Sequence, residues 1–316
     1  MKRNGVLVAG SANIDLVVKT ERFPKEGETV FGGSFGMFPG GKGANQAVAC
    51  AKLGGRTFFV GKMGRDIFRD TLMASMRRNG VDLRYLSFDG DESTGIGLIT
   101  LDHSGQNEIV VVSGSNMKLL PIDINRARQV FSRVNIVLLQ LEVPLPTVAR
   151  AAALAKSSGA LVILNPAPAK KLPASMFRAV DIITPNETEA ELLTGVRVRS
   201  TESAARAGRK LLNAGVGTVI MTLGAKGAML VSPDGVRRFP APRVKAVDTT
   251  AAGDAFNGAL AFAIASGRRF DEAIPFANSV AAFSVTRMGA QSSMPGPREL
   301  RTFLKSQLPR QSGTNQ

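Results

Sequence analysis

Short, uninterrupted apolar runs recur along this chain with helical patterns between them, and that alternation constrains the fold more than any other feature. Residues 6–9, 57–60, 136–141, 161–164, 181–184 and 218–222 read as buried strands. Helical periodicity occupies 43–53, 66–79, 146–158, 187–194 and 201–213, with Gly80 as the stop of the second. Strands that are apolar throughout must be covered on both faces, and strand–helix–strand repetition sets them parallel. The expectation is therefore an α/β three-layer sandwich around a mainly parallel sheet. A hairpin, 229–231 and 236–239 around Ser232-Pro233-Asp234-Gly235, follows, and helical patterns resume over 253–266 and 271–287.

Two segments break the alternation. Residues 15–38 carry Val17-Val18, Thr29-Val30-Phe31 and several glycines; residues 94–112 alternate as strand, turn at His103-Ser104-Gly105, and strand. Both read as antiparallel excursions that together form a small β-sheet lid over a site. The division expected is 1–14, 39–93 and 113–308 for the α/β body, 15–38 and 94–112 for the lid, and a disordered polar tail at 309–316. Val30-Phe31 and 96–101 would leave a bare apolar edge on a monomer, so a homodimer through the lid is expected.

The net charge is +15, yet the basic residues are scattered, in pairs such as Arg77-Arg78 and Arg237-Arg238. With no Trp and one Tyr for base stacking, the charge reads as solvated surface, and nucleic acid is not an expected partner. The apolar run at 6–9 is too short for a signal peptide or membrane span. A single cysteine, Cys50, excludes an internal disulfide and fits a core position in a cytoplasmic protein. One histidine and one cysteine do not make a zinc site, and a Ser-His-Asp triad would have to use His103, which sits in a turn.

The richest stretch chemically is Asp248-Thr249-Thr250-Ala251-Ala252-Gly253-Asp254, which runs into an Ala-rich helical pattern. Small residues at a helix N-terminus leave backbone N–H groups bare for a phosphate. A carboxylate there either takes a proton from a substrate hydroxyl or only caps the helix. Gly36 to Gly43 nearly matches a P-loop, but position 43 is Gly, so the magnesium-binding hydroxyl is missing. Gly40-Gly41-Lys42-Gly43-Ala44-Asn45 suits close approach to a polar ligand such as a sugar, or is a plain tight turn. Asn13 and Asp15, after Gly10-Ser11-Ala12, alternate so that both face one side, where they suit sugar hydroxyls; a turn Asp fits equally. Glu142, Asn186-Glu187-Thr188-Glu189 and Thr222-Leu223-Gly224-Ala225-Lys226-Gly227 follow further strands. Ligands of open α/β sheets gather at the carboxyl ends of strands, and these polar groups all fall on that edge.

With these residues the chain resembles the ribokinase-like carbohydrate kinases, from Gly10 to about Pro295. The resemblance rests on Gly-Gly-Lys-Gly-Ala-Asn at 40–45 and on the 248–254 run. It implies a sandwich with a β-lid and transfer of a phosphoryl group from ATP to the 5-hydroxyl of ribose. Asp254 would be the base, and Ala251, Ala252 and Gly253 the anion hole. Ser11, Ala12, Asn13, Asp15, Gly40, Gly41, Lys42, Gly43, Asn45 and Glu142 would hold the sugar. Asn186, Thr222, Leu223, Gly224, Ala225, Lys226, Gly227, Gly253 and Asn278 would contact ATP, and Glu189 would support Mg2+ through water. Asp248, Thr250, Ser284, Arg287, Gly289 and Ser293 would hold K+ beside the anion hole, several through backbone carbonyls. Gly64-Arg65-Asp66 stands where the family often has Gly-Asp-Asp. The alternatives are a kinase for 2-deoxyribose, a nucleoside or another small sugar, and a non-catalytic sugar- or nucleic-acid-binding protein on the same fold.

Overall fold

A computed structural model describes residues 5–307; the expected tail at 309–316 lies outside them. Thirteen strands are present among the described residues: β1 (Gly5–Ala9), β2 (Asn13–Thr20), β3 (Gly32–Gly40), β4 (Arg56–Met63), β5 (Val81–Phe88), β6 (Gly95–Leu101), β7 (Asn107–Val112), β8 (Ile136–Leu139), β9 (Leu161–Leu164), β10 (Ile182–Ile183), β11 (Thr218–Thr222), β12 (Ala228–Ser232) and β13 (Gly235–Phe239). Nine of them form the main sheet, in the order β13-β12-β11-β10-β9-β8-β1-β4-β5. From β11 to β5 every neighbour is parallel; β12 and β13 add the expected antiparallel hairpin.

The helices are α1 (Lys42–Lys52), α2 (Ile67–Arg78), α3 (Pro121–Arg126), α4 (Arg128–Phe131), α5 (Leu145–Ser157), α6 (Ala174–Ala179), α7 (Glu187–Thr194), α8 (Thr201–Asn213), α9 (Ala252–Ala265), α10 (Phe270–Ser284) and α11 (Pro297–Ser306). Alternate side chains of each central strand enter two separate cores. Leu7, Val137, Leu139 and Val162 pack with α3 to α8. Val6, Val8, Ile136 and Leu138 pack with α1, α2, α9 and α10. The uninterrupted apolar strands thus have the two-faced burial that their pattern demanded. Helix starts are fixed locally: Asp66 caps α2 by accepting from Arg69 N at 3.0 Å, and Asn186 caps α7 by accepting from Glu189 N at 2.8 Å.

The second sheet has the order β3-β2-β6-β7. Its two hairpins are antiparallel as expected, but the seam that joins them, β2 against β6, is parallel. The reason lies in the main sheet. β2 continues outward from β1 and β6 follows β5, and both parent strands point the same way. Asp66 secures the second exit, accepting from Thr94 N at 2.6 Å and Thr94 Oγ1 at 2.8 Å. β7 is exposed along its whole length, and Phe31 is 95% exposed.

Candidate active site

The parallel strands end along one edge, and the polar residues that follow them converge there. Ser11 follows β1, Gln140 and Glu142 follow β8, Asn165 follows β9, Thr184 and Asn186 follow β10, and Thr222 ends β11. Helices α1 and α9 bring their N-termini to the same edge. They pack closely side by side, with a Cβ on Gly258 falling 2.5 Å from Gln46 O and 2.6 Å from the Ala49 methyl.

Asp254 lies in the first turn of α9 but does not cap it. Its carboxylate reaches across to α1 and accepts from Asn45 Nδ2 on one oxygen and Gln46 Nε2 on the other, both at 3.0 Å. The capping alternative is thereby removed. Burial pushes the Asp254 carboxyl up from its ordinary value, against the opposing effects of Lys42, Asn45 and Gln46. Lys42 is half-buried, which lowers its ammonium, but Asp254, Glu142, Glu189 and Asp15 surround it and the net shift is upward. It stays a cation among four carboxylates.

On the lid side, Asp15 sits on β2 between two glycines. A Cβ on Gly40 would fall 2.3 Å from Asp15 Oδ2, and one on Gly97 would fall 2.6 Å from Oδ1. Burial first, then Glu142 and Asp254, raise its carboxyl to about 6. Asn13, also on β2, is buried and accepts from Asn116 Nδ2 at 2.8 Å. Glu142 Oε2 accepts from Lys42 N at 3.0 Å and from the Ser11 hydroxyl, and Gly43 N donates to Ser11 Oγ at 3.2 Å. The start of α1 is therefore pinned to the loops after β1 and β8, which places Ala12, Gly41 and Lys42 beside Asn13.

A cleft of about 210 Å³ opens from Lys42 and Asp254 toward the other end of the sheet. Asn186, Glu189 and Thr222 line it, with Ala251, Ala252 and Gly253 from the start of α9. Ala251 has φ +58°, the one non-glycine among the described residues with positive φ. The turn Gly224–Lys226 at the rim is exposed, whereas Leu223 and Gly227 are buried. Asn278 is not a lining residue. Its Nδ2 donates to Phe239 O at 2.8 Å and Pro240 O at 3.3 Å, holding the chain beyond β13.

Six polar residues at this edge were missed by the sequence reading, among them Gln46 of α1, which donates to Asp254. Asn165, Thr184 and Asn257 line the cleft, and Thr184 Oγ1 donates to Asn257 Oδ1 at 2.6 Å. Asn165 stands directly after a strand, a signal that could have found it. Asn116 lies in an irregular segment and gives none. Gln140 lies within the run expected as strand 136–141, but β8 stops at Leu139.

The chemistry of the cleft suits a magnesium–nucleotide complex. Among the described residues no three of His, Cys, Asp and Glu cluster as a metal cage. Magnesium at a phosphate site takes most ligands from water and phosphate, so one nearby carboxylate suffices. Glu189 faces the cleft, with its oxygens accepting from Asn186 N at 2.9 Å and Asn186 Nδ2 at 3.0 Å, an arrangement compatible with a water-mediated role. Of the residues expected around potassium, Asp248, Thr250 and Gly289 meet. Asp248 accepts from Thr250 N at 2.9 Å and Gly289 N at 2.8 Å, joining the two loops. Arg287 directs its guanidinium to Glu299 at 2.6 Å, leaving only its backbone for such a site. Ser284 and Ser293 donate their hydroxyls to Ala281 O and Ala290 O, so their oxygens remain acceptors.

Known proteins share the sequence and the fold. The pfkB family carbohydrate kinase profile matches residues 3–297. A ribokinase of Haemophilus influenzae is 42% identical over 303 residues, 96% of this chain and 99% of that one. A deoxyribokinase of Salmonella typhi is 39% identical over 300 residues, 95% of this chain and 98% of that one. The structure of Arabidopsis thaliana ribokinase complexed with ribose and ATP superposes with a TM-score of 0.91 at 35% identity, over 96% of this chain and 99% of that one. A family match over nearly the whole length, together with a solved relative of the same fold, makes this chain a member of the pfkB family of carbohydrate kinases.

Proposed function

We propose that this kinase transfers the γ-phosphoryl group of ATP to the 5-hydroxyl of D-ribose, giving ribose 5-phosphate. The observation that carries the reading is Asp254, a buried carboxylate at the junction of the lid-side pocket and the cleft, held on both oxygens by amides and next to Lys42. A sugar lying under the lid would meet Asp15, Asn13 and Glu142 and turn its primary hydroxyl toward Asp254. Asp254 takes the proton as the hydroxyl attacks. Lys42 and the N-terminal peptide groups of α9 face the charge that builds on the transferred phosphoryl, since the first turn of a helix has N–H groups without intrahelical partners. Magnesium bound with ATP through Glu189 and water would neutralise phosphate charge. Potassium at the Asp248–Gly289 junction would orient the loop ahead of α9. Asn186, Thr222 and the 223–227 turn are the proposed nucleotide contacts, and Asn278 acts by holding the chain at 239–240.

A ribokinase and an Arabidopsis structure with ribose and ATP among the relatives support ribose. The 39% identical deoxyribokinase supports 2-deoxyribose as the second reading. ATP turnover with ribose, 2-deoxyribose, fructose and adenosine side by side decides. The highest kcat/KM is expected with ribose, and equal use of 2-deoxyribose would replace the first reading with the second. No described helix is long and apolar enough to cross a membrane. The lid's exposed strand β7 is the proposed dimer surface, and the cytoplasm the proposed location.

A further inference from the structure

Gln46 and Gln140 are fully buried, and neither lines the cleft. Buried amides are costly unless hydrogen-bonded, so the partners they take are informative. An ionised carboxylate only accepts, which sets the direction of every amide around Asp254. Gln46 Nε2 donates to Asp254 Oδ1 and to Asn165 Oδ1, both at 3.0 Å. Gln46 Oε1 is then left to accept, and Gln140 Nε2 donates to it at 2.5 Å. Two glycines make room for this chain of amides. A Cβ on Gly10 would sit 1.9 Å from Gln140 Oε1, and one on Gly258 would sit 2.5 Å from Gln46 O, pushing α9 away from α1. An apolar pair at 46 and 140 would fill the same volume with no need for the polar bonds.

We infer that Gln46, oriented in turn by Gln140, is a positioning residue for the Asp254 carboxylate. This inference rests on Asp254 being the base. With Asn45 on one oxygen and Gln46 on the other, the carboxylate cannot rotate, and its remaining lone pairs face the site. A donor on each oxygen is met in full only by the charged form, so the two amides also favour the ionised base against the effect of burial. Lys42 from α1, Glu142 from the loop after β8, Asp15 from the lid and Glu189 from α7 are the charged groups facing this pocket, and all remain when Gln46 is changed.

The test is the pH profile of kcat at saturating ribose, into which the titration of Asp15 in the unliganded pocket does not enter, in Gln46→Met and Gln140→Met, with Asp254→Asn alongside. For Gln46→Met the acid limb is expected to move to higher pH by about one unit, with kcat about 10-fold lower and the KM for ATP unchanged. Gln140→Met should move it the same way by less. If Gln46→Met fails to fold, the Gln140→Met profile decides alone: a shift supports the inference and an unmoved limb overturns it. Wild-type profiles in both glutamine variants, with Asp254→Asn inactive, would overturn the positioning role and leave the base. An active Asp254→Asn would overturn the base itself.

Discussion

Asn116 holds the side-chain amide of Asn13 in one orientation. Its own direction is fixed because Oδ1 accepts from the Ala12 backbone N–H at 2.9 Å, so Nδ2 must donate to Asn13 Oδ1, at 2.8 Å. The carbonyl side of Asn13 is occupied, and its N–H₂ is the side left for ligand. Asn13 is thus a donor beside Asp15, an acceptor. Asn116→Asp keeps the bond from Ala12 but loses the one to Asn13. The KM for ribose should rise roughly 10-fold, in line with the about 1–2 kcal/mol that such a bond carries, while kcat and the KM for ATP hold. Steady-state kinetics with each substrate varied would show it.

Asp254→Asn should lower kcat by ~10²–10⁴-fold, the usual worth of a general base, with ribose binding retained. Because burial raises the Asp254 carboxyl, the folded protein resists its ionisation, and loss of the charge should offset the cost of setting the new N–H₂ against one of the Asn45 and Gln46 donors, leaving the melting temperature at neutral pH near that of wild type. Calorimetry beside turnover separates loss of chemistry from loss of fold.

Asp15 gives a pH dependence with a definite sign. Its folded value is about 6 against an ordinary 3.8, so the stability linked to its protonation is fully present below about 3.8 and lost as pH rises through about 6. Asp15→Asn should therefore raise the melting temperature relative to wild type above about pH 6, and the gain should vanish in acid. Ribose affinity runs the other way, weakening below about pH 6 as the carboxylate loses an acceptor. Ribose should be preferred over 2-deoxyribose by at least ~10-fold in kcat/KM, and Asp15→Ala should erase most of that preference. Melting curves and competition kinetics across this range are the checks.

Potassium should raise activity over sodium-only or choline buffer. Asp248→Ala, which removes the bonds from Thr250 N and Gly289 N, should abolish the response. Equal rates in all three buffers would remove potassium from the mechanism.

The lid should pair two copies. Val110 on β7, Leu98 on β6 and Phe35 on β3 share the face opposite Asp15 and are 61%, 46% and 64% exposed, too much apolar surface for a free sheet face. Sedimentation should find a dimer at micromolar concentration, and Val110→Glu should shift it to monomer.

The sandwich was legible because β8 and β9 are wholly Val, Ile and Leu and the middles of β1 and β11 are apolar without interruption, which two-sided burial explains. β5 was not anticipated: at the sheet's edge, Val81-Asp82-Leu83-Arg84-Tyr85 mixes charge into a half-buried strand. The β6–β7 hairpin was visible from local alternation and the β2–β3 segment from its apolar pairs and glycines, but the β2–β6 seam depends on where β1 and β5 point, which no local pattern carries. Asp254, Lys42, Glu142 and Glu189 could be found because each follows a strand or opens a helix. Asn116 could not, since its role comes from contact with Ala12 and Asn13 far back in the chain.

The parallel seam of the lid also bears on how the molecule assembles. Asn13 pairs with Gly95, and Lys19 with Leu101, across β3, α1, β4, α2 and β5. Closing so long a loop in an unfolded chain costs entropy that a four-stranded sheet with one bare face cannot repay by itself. Once β1, β4 and β5 are side by side, the exits to β2 and β6 are held close and the seam forms cheaply. Asp15 meets Gly97 only across that seam, so the Asp15 side of the pocket is expected to form last, on a body that is already folded.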